Sequence, residues 1–264
     1  GYYVAYSNLE QSVEGELSAT VSAEAQGLDG WIHGKSKYAV AAAEVMPTVG
    51  NKGDIATMQS LLKMVSGDKE IVGLVNATET GTFVSAKKDN TGKVNPQERG
   101  WYKQAKAANG KRSFTEVYKD STNGKLVVTA AMPYEDETGK FAGAICEDIE
   151  LGTPEQAVKH LDYHGQGKGI LISPKGNIVA STDESENMTP VSDNKALAPH
   201  FDEMVQKGEG YFEADSSEGT KVIAYHSVPT TGWVMAISVP RDVVFASQTK
   251  LKIAYGILTI LGIL

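Results

Sequence analysis

The sequence predicts an α+β fold in which a long N-terminal helix precedes two similar modules built on antiparallel sheets. Three observations support this class. Apolar residues recur at helical spacing over the first stretch of the chain, and no proline occurs before Pro47. Short apolar runs separated by turn residues follow, as expected of antiparallel strands. These runs occur twice in the same order, with Asp120 and Asp215 lying 95 residues apart at matching positions, which indicates two copies of one module.

Composition excludes several classes of protein. The chain has 264 residues, enough for one large domain or two small ones, and 41% are hydrophobic, which argues against wholesale disorder. The chain has a formal charge of -8, whereas proteins that bind nucleic acids usually carry basic surfaces, so we expect no nucleic-acid partner. The single cysteine, Cys146, permits neither an intramolecular disulfide nor a cysteine-based zinc cluster. We expect no metal and no cofactor.

Two helices are predicted at the start of the chain. Apolar residues at intervals of four and seven indicate one face of a helix over 4–46, and Pro47 is expected to end it. Helices of this length are commoner in membrane-linked stalks than in compact enzymes. Asp54 has the side chain of an N-cap for a second helix, which Gly67 is expected to end.

The first module follows the second helix. The pattern predicts a hairpin of strands 70–75 and 82–84 around Thr80-Gly81. A short helix is expected to begin at Asn95-Pro96 and to end at Asn109-Gly110. Three further strands are predicted, at 114–118, 126–132 and 141–149. Consecutive short strands with tight turns indicate an antiparallel sheet.

The second module repeats this order. A helix with Thr153 as N-cap and Pro154 in its first position is expected to run to about Gly165. A hairpin is then predicted at 169–173 and 178–180. From Phe212 onward, a turn glycine, a β-branched run, a proline and a Thr-Gly turn recur in the order seen in the first module.

The two ends of the chain predict a membrane location. Residues 253–264 carry no charged side chain, and we interpret them as the first half of a transmembrane helix, because twelve residues reach only ~18 Å of a ~30 Å hydrocarbon core. The alternative is a C-terminal core helix. Tyr2 and Tyr3 are typical of a membrane interface. We therefore expect a segment between two membrane spans, divided into a stalk helix (1–47), a first module (48–160), a second module (161–240) and an exit helix (241–264).

Several apparent motifs are interpreted as structural. His160 and His164 stand four apart on a predicted helix, but no third metal ligand is near in sequence, so solvated histidines are favoured. The glycine-rich run at 165–169 lies between a helix and a strand and therefore lacks the helix N-terminus that a phosphate loop needs. Cys146 lies in a predicted strand, where a buried inert thiol is favoured over a nucleophile.

Five residues of the first module form the candidate ligand site: Arg99, Trp101, Tyr118, Asp120 and Asp148. The arginine can bind a carboxylate through two parallel hydrogen bonds. Strand alternation places Tyr118 and Asp120 on one face, and two carboxylates with a phenolic oxygen can surround an ammonium group. The set would complement a free α-amino acid. The alternative is that Arg99 pairs with a neighbouring acid such as Glu98 and that Trp101 packs in the core.

With these residues the chain resembles a double-Cache sensor domain, the extracytoplasmic ligand-binding region of bacterial methyl-accepting chemotaxis proteins. The resemblance implies a long helix packed along two PAS-like antiparallel sheets, with an amino acid bound in the membrane-distal module, here 48–160. It implies that Arg99 and Trp101 meet the ligand carboxylate, and that Tyr118, Asp120 and Asp148 meet its amine.

One position departs from the family pattern. The family usually has a tyrosine five residues before the arginine, where this chain has Val94. One hydroxyl contact to the ligand carboxylate is thereby lost, worth ~1 kcal/mol. The smaller side chain leaves space for a larger ligand or a bridging water.

We therefore expect a periplasmic sensor of the inner membrane that has no catalytic role. It binds a small amino acid or a related amine and signals across the membrane through flanking transmembrane helices, as a weak homodimer. One alternative is the sensor domain of a histidine kinase or cyclic-dinucleotide enzyme. Others are an extracellular hydrolase, with Asp120 and Asp148 as acid and base, and an interaction module with an empty pocket.

Overall fold

The predicted long helix is present as two helices in this computed structural model, which describes residues 2–121 and 123–262. The first, α1, spans Tyr2–Lys35, and the second, α2, spans Lys37–Val45. They are separated at Ser36, whose buried hydroxyl donates a hydrogen bond of 2.6 Å to the carbonyl of Ile32. The sequence pattern contains no sign of this break.

Pro47 does not end the helical segment, which corrects a second expectation. A π-helical turn, Met46–Gly50, carries the chain past it, because a proline in the first turn of a helical segment has no N–H that the helix needs. The next helix, α3, spans Ile55–Leu62. Asp54 is its N-cap as predicted, and its carboxylate accepts a hydrogen bond of 2.8 Å from the amide of Thr57.

The chain divides into two compact units. The central unit is Gly30–Thr153, and the terminal unit consists of the chain up to Asp29 together with the chain from Pro154 onward. Residues of α1 therefore contribute to both units. The four-segment division given above stays a prediction.

The central unit contains an antiparallel sheet in the strand order β2-β1-β6-β5, with β3 and β4 both paired to β5. Its strands are β1 (Ile71–Thr78), β2 (Phe83–Ser85), β3 (Ser113–Phe114), β4 (Tyr118–Lys119), β5 (Leu126–Glu135) and β6 (Phe141–Glu150). The turn between β1 and β2 has Gly81 at φ +98°, a conformation that favours glycine. One helix, α4 (Gly100–Ala107), lies between β2 and β3 in the chain.

The single strand predicted at 114–118 is two short strands instead. Between them, the amide of Thr129 on β5 donates to the side-chain hydroxyl of Thr115 at 3.1 Å. A side-chain oxygen thus takes the place of a backbone carbonyl in the ladder, and such local competition interrupts strand pairing.

The central sheet is covered on both faces. One face packs against α2 and α3 through a cluster of buried residues that includes Leu74 on β1 and Ile145 on β6. The other face packs against α4 through Ala77 and Ala144, which contact the buried ring of Tyr102. Because neighbouring strand residues point to opposite faces, this fixes which side chains can share a site with α4.

The terminal unit contains a five-stranded antiparallel sheet in the order β8-β7-β11-β10-β9. Its strands are β7 (Lys168–Ile172), β8 (Ile178–Ser181), β9 (Glu209–Ser216), β10 (Gly219–Val228) and β11 (Trp233–Pro240). In both sheets the first strand of the unit pairs with its hairpin partner and with the last strand. The common order confirms the predicted two-module α+β class.

Helix α5 corrects a third expectation. It spans Gly152–His160 and ends five residues before Gly165. The hydroxyl of Thr153 donates to Glu70 at 2.6 Å, so this side chain makes a tertiary contact in the central unit. Beyond its end, His164 lies at φ +50°, outside the range of a right-handed helix, so the helix could not have continued to Gly165.

Helices α6 (Phe201–Lys207), α7 (Arg241–Val244) and α8 (Ala246–Leu261) complete the terminal unit. Exposed apolar residues of α8 include Ile257, Leu258 and Ile260. Among residues 2–121 and 123–262, no helix is both long and apolar enough to cross a membrane. The last two residues of the predicted span lie outside the described residues.

Candidate ligand site of the central unit

Asp148 lies on the face of the central sheet that packs against α4. Strand alternation along β6 gives it the same side as Ala144, which contacts α4, and the opposite side from Ile145. Its cross-strand partners are Gly73 on β1 and Thr129 on β5. The carboxylate therefore lies near the end of the central strand, with space beside it at Gly73 and with Thr129 on its other side.

Tyr118 and Asp148 are brought together as predicted. The Tyr118 hydroxyl donates to Asp148 Oδ1 at 2.9 Å. The Thr129 hydroxyl also donates to Oδ1, at 2.6 Å, and lies 2.6 Å from the Tyr118 hydroxyl. The Cys146 thiol approaches the same oxygen at 3.4 Å, so three donors converge on it, and hydrogen bonds to an ionised group are among the stronger ones in proteins.

Asp120 follows directly after β4 and occupies a tight turn. Its backbone amide donates to the carbonyl of Lys125 at 2.8 Å, and its carboxylate accepts from the amide of Asn123 at 3.1 Å. The residue is 8% exposed. The carboxylate of Asp120, two residues after Tyr118, therefore stabilises the turn that follows β4. That it also faces a ligand ammonium stays a prediction.

Arg99 and Trp101 lie at the start of α4. Asn95 caps the preceding 3-10 turn by accepting from the amide of Gln97 at 3.0 Å, so that the chain leaves this turn at Arg99 with extended backbone. The exposed guanidinium of Arg99 stands over the ring of Phe83, with its carbon 5.9 Å from the ring centroid. The described part of the chain offers Arg99 no carboxylate partner within salt-bridge distance.

Trp101 has a structural role that the sequence left open. Its ring is tilted against Phe83 with centroids 6.2 Å apart, and it meets Tyr102 edge-on at 5.8 Å. It therefore packs against the α4 side of the sheet while remaining partly exposed. These contacts hold Arg99 beside Phe83.

A floor of small residues connects the two ends of the site. Between the row of Ala77 and Ala144 and the row of Gly73 and Asp148, the sheet presents Val75, Cys146 and, on β5, Ala131. The rows lie four residues apart along the strands, or ~13 Å at ~3.3 Å per residue. Gly73 and Val75 are partly exposed although β1 is an inner strand, so this face is open to solvent along β1, while Cys146 and Ala131 are buried.

Electrostatics favour the neutral form of the groups beside Asp148. Burial and the neighbouring Asp148 carboxylate raise the pKa of the Tyr118 hydroxyl well above its usual value, so the phenol keeps its proton and donates. The same causes raise the pKa of the buried Cys146 thiol, which confirms the prediction of an inert thiol. The described residues of the site thus offer a carboxylate for a cation and no activated nucleophile.

Two cavities lie elsewhere. One of about 450 Å³ is lined by Lys106 and Phe141, among others, and includes none of the five predicted residues. One of about 630 Å³ in the terminal unit is lined by Lys168, Lys195 and Lys221 together with acidic residues. Neither of these two cavities is lined by any of the five predicted residues.

Sequence reasoning missed Thr129 and Phe83. Thr129 could have been found by counting back through the hairpin formed by β5 and β6, whose register places it opposite Asp148. Phe83 has no such signal, because its contact with Arg99 and Trp101 depends on how α4 docks on the sheet.

The histidine pair does not form the helical spacing that the sequence predicted. His160 ends α5, and His164 lies in the following turn. Each histidine instead faces a glutamate of α1: His160 lies 3.8 Å from Glu24, and His164 lies 3.3 Å from Glu16. Within the described residues there is no group of three potential ligands that could hold a metal ion.

Comparisons with known proteins agree with this architecture. A family model described as "Cache domain" matches residues 5–248. The methyl-accepting chemotaxis protein PctB of Pseudomonas aeruginosa is 29% identical over 146 residues, covering 54% of this chain and 22% of PctB. PscA of Pseudomonas syringae pv. tomato is 26% identical over 141 residues, covering 52% of this chain and 22% of PscA. The chain spans about a fifth of the length of these relatives.

Solved structures show the same fold. The ligand-binding domain of Mlp24 with asparagine has a TM-score of 0.72 at 20% identity, covering 92% of this chain and 98% of that one. The domain of PctB with L-Arg has a TM-score of 0.70 at 23% identity, covering 89% and 98%. The domain of Pseudomonas fluorescens CtaA with L-isoleucine has a TM-score of 0.73 at 20% identity, covering 93% and 99%.

Proposed function

The chain belongs to the Cache domain family, and from this premise we propose that it is the extracytoplasmic sensor domain of a chemoreceptor that binds a small amino acid. The single observation that carries the proposal is the Asp148 carboxylate, held by Tyr118 and Thr129 on an open face of the sheet. The relatives support it, since PctB and PscA are chemotaxis receptors and the solved domains of Mlp24 and PctB are complexes with amino acids.

The two ends of the site complement the two charges of an amino acid. Tyr118 and Thr129 both bond Oδ1 of Asp148, which leaves its Oδ2 for the ligand ammonium. Asp120 is the second carboxylate at this end. At the other end, the guanidinium of Arg99 lies over Phe83 without a described ion pair and is the group that receives the ligand carboxylate.

The open floor sets the class of side chain that the site accepts. Gly73, Val75 and Cys146 present little bulk and no charge, so they form a neutral, mostly apolar surface between the charged ends. Val94 stands where the family usually has a tyrosine, so the end of the site that receives the ligand carboxylate has one hydroxyl fewer. The site is therefore suited to aliphatic or uncharged polar amino acids and related amines.

The wider role of the chain follows from its relatives. We propose that α1 and α7–α8 connect the domain to two transmembrane spans, that the segment is periplasmic, and that the central unit corresponds to the membrane-distal module. We also propose a weak homodimer, because long N-terminal helices often associate in parallel. The exposed apolar residues of α8, among them Ile257, Leu258 and Ile260, support a location at a membrane.

A hydrolase fits the site less well. Asp120 accepts a hydrogen bond from the amide of Asn123, and Asp148 accepts hydrogen bonds from Tyr118 and Thr129, so neither resembles a free acid or base. The relatives are sensory receptors, and none of the three comparisons favours a kinase or cyclic-dinucleotide output.

A thermal-shift screen of the twenty L-amino acids and common amines tests the proposal. A ligand at 100 times its Kd should add ~2.7 kcal/mol to the free energy of unfolding. The N-acetyl and methyl-ester forms of each hit serve as matched controls and should not bind. Acetylation removes the charge that Asp148 is placed to meet, and esterification removes the charge for Arg99. Equal binding of an N-acetyl form in calorimetry, or no shift with any compound, would contradict the proposal.

A further inference from the structure

Glu147 is a buried acid that the ligand site does not use. It follows Cys146 and precedes Asp148 on β6, so its side chain points to the opposite face, toward α2. The residue is fully buried. Its Oε1 accepts a hydrogen bond of 2.9 Å from the amide of Ala39, and its Oε2 has no hydrogen-bond partner among the described residues.

The amide of Ala39 can donate to Glu147 because the N-terminal helix is interrupted at Ser36. The separation at Ser36 creates a new helix N-terminus, and the amides of the first turn of a helix have no partner within it. Ser36 does not cap α2, because its hydroxyl bonds backward to Ile32. Ala39 is the third residue of α2, so the strand carboxyl supplies the cap that the local sequence lacks.

The surroundings of Glu147 contain few compensating charges. Its cross-strand neighbours on β1 and β5 are Leu74 and Ala130. The charged groups that act on it are Asp68 before β1, Arg112 before β3 and Asp148 on its own strand, while α2 faces it with the amide of Ala39.

Two of these charges are themselves engaged. Asp68 is paired with Lys35 at 2.6 Å, and Arg112 lies 3.3 Å from His33. Burial raises the pKa of Glu147 to about 8, against the lowering effect of the bond from Ala39. The group is therefore protonated at neutral pH and ionises in mildly alkaline solution.

We propose that Glu147 is a proton-binding sensory site, through which this domain responds to alkaline pH as well as to its ligand. Loss of the proton turns a neutral hydrogen bond to Ala39 into a charge-assisted one at a helix N-terminus. The tie between the strand that carries Asp148 and the helix that continues from α1 becomes stronger. A rise in pH and an occupied ligand site thus act on the same contact.

Coupling between the two sites rests on the proposed function of Asp148. A ligand ammonium at Asp148 places a positive charge one residue along β6 from Glu147 and favours its ionised form. Binding should therefore release protons near pH 8, and by reciprocity the affinity should rise with pH. Because the two side chains point to opposite faces of the sheet, we expect an increase of about two- to threefold between about pH 6.5 and about pH 8.5.

The proton site is tested without any ligand. Carbon-13 NMR of glutamate carboxyl groups in the whole chain should show one carboxyl titrating near pH 8, far above the usual ~4.3, and this resonance should be absent in Glu147→Gln. Glu135→Gln, the same change at an exposed end of β5, is the matched control and should leave the resonance in place. If no carboxyl of the unaltered chain titrates above about pH 6.5, the proposal is overturned, whether or not the Gln variant folds.

A second measurement separates a proton site from a merely structural role. Because the pKa of Glu147 is higher in the folded chain than in the unfolded one, the stability that this group contributes is fully present below about pH 4.3 and is lost as pH rises to about 8. Over this window, the Tm of the unaltered chain and of Glu135→Gln should fall relative to that of Glu147→Gln. Parallel curves for all three proteins would contradict the proposal.

The coupling is measured by calorimetry with L-alanine and L-asparagine as probes, in phosphate and in Tris near pH 8. Buffer-dependent heats in the unaltered chain and buffer-independent heats in Glu147→Gln are expected. Binding without any buffer dependence would overturn the coupling alone. If neither probe binds, the proposed ligand site is contradicted. The carboxyl titration still decides whether Glu147 binds a proton.

Discussion

The central and terminal sheets share one strand order but differ in the chemistry of their last strand. β6 carries Glu147, Asp148 and Glu150, whereas β11 (Trp233–Pro240) contains no acidic residue. Asp148 stands between Gly73 and Thr129, while Ser238 on β11 stands between Lys168 and Ile223. The duplicated topology therefore carries acidic residues on its last strand in the central sheet and none on the last strand of the terminal sheet.

The residues of the terminal unit that most resemble the site are engaged in structural contacts. Phe212 stacks on His200 with ring centroids 4.0 Å apart. Asp215 accepts a hydrogen bond of 2.8 Å from Thr220 in the same hairpin. Arg241, the only arginine after residue 153, pairs with Glu213 at 3.1 Å. Each has a matched counterpart in the central unit, and these pairs provide controls for mutation.

The largest difference is expected between Asp148→Ala and Asp215→Ala. Loss of Asp148 removes a charge-assisted bond to the ligand ammonium, worth ~1.5–3 kcal/mol, so affinity should fall at least about tenfold. Asp215→Ala should leave affinity unchanged. Folding should survive the loss of Asp148, because the hydroxyls of Tyr118 and Thr129 already lie within bonding distance of each other. Calorimetry with the best amino acid from the screen measures both, and circular dichroism checks the fold.

Arg99→Ala and Arg241→Ala should differ almost as much. If Arg99 receives the ligand carboxylate as proposed, its removal should weaken binding about tenfold. Removal of Arg241 breaks an ion pair with Glu213 and should lower the Tm slightly without changing affinity. Equal losses of affinity in the two variants would show that the carboxylate end has been misplaced.

Thr129→Val should have a smaller effect through Asp148. The change keeps the shape of the side chain and removes the hydroxyl that bonds both Tyr118 and Asp148. We expect an affinity loss of about fivefold, from ~1 kcal/mol of lost hydrogen bonding. Thr129→Ser, which retains the hydroxyl, should bind within about twofold of the unaltered chain. If the valine and serine variants bind equally, the hydroxyl does not orient Asp148.

The smallest effect is expected for Val94→Tyr. This change restores the hydroxyl that the family usually places near the ligand carboxylate, and one hydrogen bond corresponds to a gain of about fivefold. A bulky ligand that already fills the space beside Val94 should instead bind more weakly. Calorimetry with one small and one large amino acid distinguishes these cases, and an unchanged affinity for both would place Val94 outside the site.

Local patterns predicted much of this fold, and tertiary contacts explain what they missed. The cap at Asp54 and the turn at Gly81 depend on neighbouring residues and were correct. The break at Ser36 is stabilised by Glu147, more than 100 residues away in sequence, and no local pattern contains it. Thr153 likewise bonds Glu70 across the fold.

The candidate site follows the same rule. Tyr118 and Asp148 meet because their strands both pair with β5, and the register of such hairpins can be predicted from the sequence. Thr129 could have been derived from the same count. The position of Arg99 over Phe83 depends on the docking of α4, and the turn that holds Asp120 depends on backbone bonds to Lys125. Both were identified only as residue types at a suggestive spacing.

A crystal structure of the chain with the tightest-binding amino acid would locate the ligand site. We expect ligand density on the α4 face of the central sheet, with the ammonium within hydrogen-bond distance of Asp148 and the carboxylate at Arg99. The terminal unit, including its cavity of about 630 Å³ near Lys168 and Lys221, should be free of that ligand. An amino acid bound in the terminal unit with the central face empty would contradict the assignment.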